Sequence, residues 1–117
     1  MVGSGSLEDL SHEVEVQVTF VRSKNGKKRT IPVWFTVNEG KIELLPMYGL
    51  KTKWFVDVER SGNIELSVKD WKKSSRSAVV RDSVAVNRIK RRFSDKYGED
   101  EVKKYYPTSE VALLVTL

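Results

Sequence analysis

The sequence predicts a mainly β domain: a six-stranded antiparallel barrel with flanking helices. Three observations point there. Several short segments alternate apolar and polar residues at period two. Turn-forming dipeptides join them. The segments run β-β-β-α-β-β-α-β, without the regular alternation that builds a parallel doubly wound sheet. The 117 residues amount to one domain, long enough to bury a core without disulfides.

Residues 1–12 read as a flexible N-terminal segment, with one helical turn over residues 7–12, and residues 13–117 as a single barrel domain. The first strand covers residues 13–20, where Val14, Val16, Val18 and Phe20 face one way. Asn25-Gly26 is a strong hairpin signal, because both residues tolerate positive φ. The second strand covers residues 29–37. Pro32 lies inside it and lacks an N–H, which implies an edge, a bulge or a ligand-facing break. Asn38-Glu39-Gly40 turns the chain into a third strand over residues 41–45, ended near Pro46.

Tyr48 to Lys51 read as a loop, and Thr52 as a helix N-cap whose hydroxyl accepts a first-turn N–H. Trp54, Phe55 and Val58 then share a face, and Gly62 stops the helix in a left-handed conformation. Residues 64–68 alternate again as a fourth strand. A loop around residues 71–75 leads to a fifth strand at 77–81. Asp82 or Ser83 caps a longer helix with Val86, Ile89, Phe93 and Tyr97 on its apolar face. Gly98 breaks it, a short helix over 99–106 follows, and residues 110–117 form the last strand.

Composition narrows the chemistry. There is no cysteine and one histidine, His12, which removes thiol catalysis and any Cys- or His-rich metal site. If the protein is an enzyme, a bound cofactor carries the chemistry. No leader pattern and no membrane-length apolar run is present, so cytoplasmic residence is the expectation. The charge of +5 points to an anionic partner. Its excess clusters at Arg22, Lys24, Lys27, Lys28 and Arg29, and again at Arg88, Lys90, Arg91 and Arg92. The second cluster reads as a solvent-facing helix surface rather than a specific nucleic-acid reader.

The strongest local site is Lys51-Thr52-Lys53-Trp54. A helix start offers free N–H groups and the positive dipole end, and two lysines with a hydroxyl suit a phosphate. An ordinary capped helix with solvated lysines accounts for the same residues. The basic hairpin feeding Arg29 and Pro32 is the second candidate, with a solvated turn as its plain reading. Trp34, Phe35, Tyr48, Trp54 and Trp71 serve as core or as stacking surface for a flat ring. Asp57 and Glu59 read as exposed helix residues. No P-loop or Gly-x-Gly-x-x-Gly motif occurs.

The run from Arg22 through Gly26, Lys27, Arg29 and Pro32 to Phe35 resembles the "SGKxRxxP" strand pair of the flavin-binding split barrels, the superfamily of pyridoxamine 5′-phosphate oxidase and the deazaflavin-dependent nitroreductases. Trp54 to Val68 is similar to its "WyxNLxxNPxVxV" helix and strand, and Tyr105-Tyr106-Pro107 with the strand beyond fits its C-terminal end. The likeness spans about residues 14–117. It implies a six-stranded antiparallel split β-barrel and a homodimer holding FMN or a deazaflavin at the subunit cleft. By position, Lys27 and Arg29 match the motif's lysine and arginine. Lys51, Thr52 and Lys53 match its helix-start anion site, and Trp54 its tryptophan. Pro32, Val33 and Trp34 would border the ring. Asp57 stands where the superfamily often has asparagine, and a carboxylate there would repel a phosphate.

Three functions follow. The first is an FMN- or deazaflavin-binding oxidoreductase. The second is a nucleic-acid-binding β-barrel, for which basic residues should line one sheet face beside exposed aromatics. The third is a split barrel without cofactor in a structural or regulatory role. The basic residues gather at turns and helices, which favours the first.

Overall fold

A computed structural model of the chain describes residues 10, 12–107 and 110–116. Its elements are β1 (Glu15–Val21), β2 (Lys28–Trp34), β3 (Thr36–Asn38), β4 (Lys41–Leu44), a 3-10 turn (Gly49–Lys51), α1 (Lys53–Ser61), β5 (Asn63–Val68), β6 (Trp71–Val80), α2 (Ser83–Tyr97), α3 (Glu99–Tyr105) and β7 (Ala112–Thr116). The strands form one antiparallel sheet in the order β2-β1-β5-β6-β7-β4-β3.

β2 and β3 stand at opposite ends of that order, yet only Phe35 separates them in the chain. In a flat sheet the outer strands of seven would lie roughly 29 Å apart. The chain crosses about 7 Å between Trp34 and Thr36 at full stretch. The sheet must therefore curl until its two ends meet at Phe35, and the result is a barrel.

Period-two patterning supplies the barrel's filling. Val16, Val18 and Phe20 from β1, Ile64, Leu66 and Val68 from β5, Ile42 and Leu44 from β4, and Leu113 and Val115 from β7 are buried together. Trp54, Phe55 and Val58 of α1 join the same core, as does Leu10. A second cluster sits on the other face of β7, where Val86, Ile89 and Phe93 of α2 and Val102 of α3 meet Ala112 and Leu45. β7 is thus apolar on both faces.

Two elements differ from the sequence reading. The strand expected over residues 29–37 is two strands, so the barrel has seven rather than six. The break falls at Phe35, and Pro32 lies within β2 opposite Gln17. The loop expected around residues 71–75 is the first half of β6. Lys69, at φ 52°, and Asp70 form a tight turn that pairs Val68 with Trp71. Lys72, Lys73 and Ser74 are exposed, so no apolar alternation marks them as strand. The segment expected to be flexible over residues 1–12 falls outside the described residues, apart from residues 10 and 12. Among the described residues no helix is long and apolar enough to cross a membrane.

The basic run at residues 88–92 is also not wholly solvent-facing. Arg88 and Arg91 are exposed, and Lys90 is half-buried. Arg92 turns inward to Glu43, whose side chain is 3% exposed. Arg92 Nε donates to Glu43 Oε1 at 2.7 Å, its Nη2 donates to Oε2, and Thr36 Oγ1 donates to Oε1 at 2.7 Å.

The end of α2 fastens the barrel closure. Tyr97 Oη accepts from the Phe35 N–H at 3.0 Å and lies 2.6 Å from the Val14 carbonyl oxygen. Lys96 Nζ donates to the Phe35 carbonyl at 2.9 Å and sits 3.8 Å from the Phe35 ring centroid. Burial lowers the Lys96 pKa to about 8, partly countered by Glu13. Burial also raises Tyr97 to about 12. Between pH 8 and the unfolded lysine value, the folded chain therefore holds fewer protons at Lys96 than the unfolded chain. The penalty for burying this charge is present at low pH and relieved as pH rises through that window. The urea midpoint of the wild type should rise relative to that of Lys96→Met between pH 7 and pH 9.5. Parallel curves over that range would refute the assignment.

Candidate functional site

Two cavities adjoin on one side of the barrel. The first, about 390 Å³, is largely apolar. Ile31, Pro32, Val33 and Trp34 of β2 form one wall, and Leu45, Met47, Tyr105 and Tyr106 form another. Among the described residues Glu15 is its one charged side chain. The second, about 590 Å³, is basic: Arg22, Arg29, Lys51 and Lys53 line it, with Asp57 as the one acid among the described residues. Ile31, Tyr48, Thr52 and Trp54 line both cavities, so the basic one begins where the apolar one ends.

Of the residues singled out from the sequence, Arg29, Lys51, Thr52 and Lys53 meet in the basic chamber. Pro32, Val33 and Trp34 meet in the apolar one, and Trp54 belongs to both. Lys27 stands apart. It is exposed at the hairpin tip, its N–H held by Asn25 Oδ1 at 3.0 Å, and it lines neither chamber. Among the five aromatics, Phe35 and Trp54 are buried core, and Trp71 packs against that core. Trp34 is stacked on Tyr97, with centroids 4.2 Å apart and planes within 8°. Tyr48 is 67% exposed.

The start of α1 departs from the expected cap in an informative way. Thr52 holds the N-cap position, but its hydroxyl accepts the N–H of Tyr48 at 2.8 Å. The first-turn N–H groups of α1 thus have no side-chain cap, and the turn contains no acid. Those donors and the positive dipole end stay available to an anion. Among the described residues, Arg29, Lys51 and Lys53 form no ion pair.

Asp57 is the second departure. It is buried rather than exposed, while Glu59 stays at the surface and pairs with Arg81. Asp57 Oδ1 accepts from Ser23 Oγ at 2.6 Å and from the Ser23 N–H at 3.1 Å, and Oδ2 lies 3.4 Å from Arg22 Nε. The Ser23 bond holds the carboxyl below its ordinary pKa, with Arg22 assisting and burial opposing. The helix spacing contains a signal for this position. Asp57 follows Trp54 by three residues and precedes Val58, which puts it on the buried stripe. Arg22 was not singled out as a site residue and is the fourth cation of the chamber. Among the described residues no cluster of metal-ligating side chains occurs.

No family model matches the sequence, and no curated protein matches it. Solved structures do. A conserved hypothetical protein from Mycobacterium tuberculosis is similar with a TM-score of 0.78 at 13% identity, over 99% of this chain and 80% of that one. An F420-H2 dependent reductase is similar with a TM-score of 0.68 at 17% identity, over 88% and 94%. A protein solved as a domain-swapped dimer gives 0.68 at 16%, over 97% and 96%. At these identities the likeness is one of fold, and the fold of this chain is a split β-barrel.

Proposed function

We propose that the paired chambers hold a phosphate-bearing flavin or deazaflavin and that the chain is an oxidoreductase of that cofactor class. The observation that carries this reading is the join at Thr52 and Trp54. Three cations without an ion pair among the described residues and an uncapped helix start lie on one side of it, and an apolar slot walled by β2 on the other. An amphiphile with a flat ring and an anionic tail matches that division. Each chamber falls within the roughly 300–1,000 Å³ usual for small-molecule sites. A bound flavin or deazaflavin supplies the hydride-transfer chemistry that a chain without cysteine does not. The chain's own part is to neutralise the tail with Arg29, Lys51 and Lys53, and to keep water from the ring with Val33, Trp34 and Met47. A second copy of the chain belongs to the reading. Tyr48 and Leu50 are large apolar side chains exposed at the turn between the chambers, 67% and 43%, and a similar structure is a dimer.

The test is titration of FMN and of a deazaflavin into wild type, Arg29→Ala and Lys53→Ala. A charge-assisted hydrogen bond contributes about 1.5–3 kcal/mol, so each loss should weaken binding roughly 10- to 100-fold. Equal binding by all three proteins would place the cofactor elsewhere. Binding of neither cofactor by wild type at about 100 μM, a free energy near −5.5 kcal/mol, would leave a barrel without cofactor. Sedimentation of the same samples should give a dimer.

A further inference from the structure

Among the described residues Asp57 is the one acid in the wall of the basic chamber, and by charge alone it works against an anion there. Its contacts show a different use. Through Oδ1 it holds both the N–H and the hydroxyl of Ser23, and through Oδ2 it meets Arg22. Those two residues open the turn between β1 and β2. Arg22 itself closes that turn, its N–H donating to the Lys27 carbonyl and its carbonyl accepting from the Gly26 N–H, both at 2.8 Å. One carboxylate on α1 thus pins the whole hairpin corner to the helix whose start forms the chamber floor.

The geometry at Arg22 is specific. Asp57 Oδ2 forms an ion pair with Nε at 3.4 Å, and among the described residues the two Nη groups donate no hydrogen bond. The side chain is 27% exposed and stands in the chamber wall. A guanidinium whose Nε faces a carboxylate keeps its Nη groups for a bidentate contact with a phosphate. An arginine held in place also gives up little rotamer freedom when it meets its ligand, whereas a free one must be ordered at that moment. The Arg22–Asp57 pair is close to neutral as a unit, so the repulsion from the carboxylate is largely cancelled at its source.

We propose that Asp57 is a positioning residue of the anion chamber, holding Arg22 ready for a phosphate group. This rests on the chamber being an anion site. It does not require the ligand to be a flavin. Asparagine at this position would keep the Ser23 contacts through its carbonyl oxygen but would turn an N–H donor toward Arg22, while alanine would release the corner altogether.

The test uses inorganic phosphate as the probe, titrated into the full ¹⁵N-labelled chain and followed by amide shifts. Arg22→Ala and Asp57→Ala should each weaken phosphate binding by about 5- to 30-fold, in the range of a lost charge-assisted contact. The double variant should bind no more weakly than Arg22→Ala alone, because the two act through one contact. Asp57→Asn keeps the Ser23 contacts but loses the partner of Arg22, so it should weaken phosphate binding by more than about 3-fold. Where Asp57→Ala does not fold, Ser23→Ala takes its place. It removes one bond to Asp57, leaves every charge intact, and should still weaken phosphate measurably. Phosphate binding that is unchanged or tighter in Asp57→Ala, or unchanged in Ser23→Ala, would make Asp57 a mere repulsive charge and overturn the proposal. So would a wild type that binds no phosphate in this chamber. If the phosphate pattern holds while FMN and deazaflavin do not bind, the cofactor reading falls and the role of Asp57 stands. If the cofactors bind and the phosphate pattern fails, the outcome is reversed.

Discussion

Arg92→Ala should destabilise the fold by about 3–5 kcal/mol, because it leaves the Glu43 carboxylate buried without its cation. Glu43 is 2% exposed, and among the described residues its remaining hydrogen-bond partner is the Thr36 hydroxyl. For a chain of this length the melting temperature should fall by roughly 10–20 °C. Against a typical total of about 5–15 kcal/mol, that loss is a large part of the stability. The complementary variant separates an unpaired charge from a lost contact. Replacing all three partners at once, Thr36→Val with Glu43→Leu and Arg92→Met, removes the polar group as well as its partners and should recover most of the loss. A melt of Arg92→Ala within about 2 °C of wild type, under 1 kcal/mol, would show that water already reaches Glu43.

Phe35→Ala should have an effect of the same order, about 3–5 kcal/mol, through the cavity it leaves in the barrel. Phe35 has no exposed surface, and its ring carries the Lys96 ammonium 3.8 Å from its centroid. The backbone bonds to Tyr97 and Lys96 survive the substitution, so the closure stays tethered while its filling is lost. Phe35→Leu, which keeps most of the volume, should lose under about 2 kcal/mol. Urea denaturation of the three proteins distinguishes the cases. Equal midpoints for Phe35→Ala and wild type would mean that the junction between β2 and β3 is held by its backbone bonds alone.

The strands that line the core were legible because one of their faces is apolar. Val16, Val18 and Phe20 alternate with polar residues, as do Ile64, Leu66 and Val68, and the structure pairs β1 with β5. The first half of β6 was not legible, because Lys72, Lys73 and Ser74 all face water and leave no period to read. The break at Phe35 follows from closing the sheet on itself, a condition no local window contains. The site divides in the same way. Arg29 and the Lys51–Lys53 segment announce themselves by charge and by a helix start. Arg22 joins them only once Asp57 is known to point inward. The Glu43–Arg92 pair spans 49 residues. On β4, Glu43 sits between Ile42 and Leu44 and so faces away from the barrel, and nothing nearby in the chain says that α2 covers that face.

The order of strands in the sheet has a consequence for the time course of folding. β1 with β2, β3 with β4, and β5 with β6 are local hairpins that can pair as soon as each is made. β7 joins β4 to β6, with Ile42 opposite Val115 and Ser77 also opposite Val115. During synthesis, then, β3 and β4 have no path into the rest of the sheet through hydrogen bonds until residues 112–116 have left the ribosome. Closure is the pairing of highest contact order and should be the slowest to form, and until it happens the free edges of β4 and β6 are open to pairing with another chain. Exchange of β7 between two copies would satisfy the same ladder, so the window before closure is also when two chains can become interlocked.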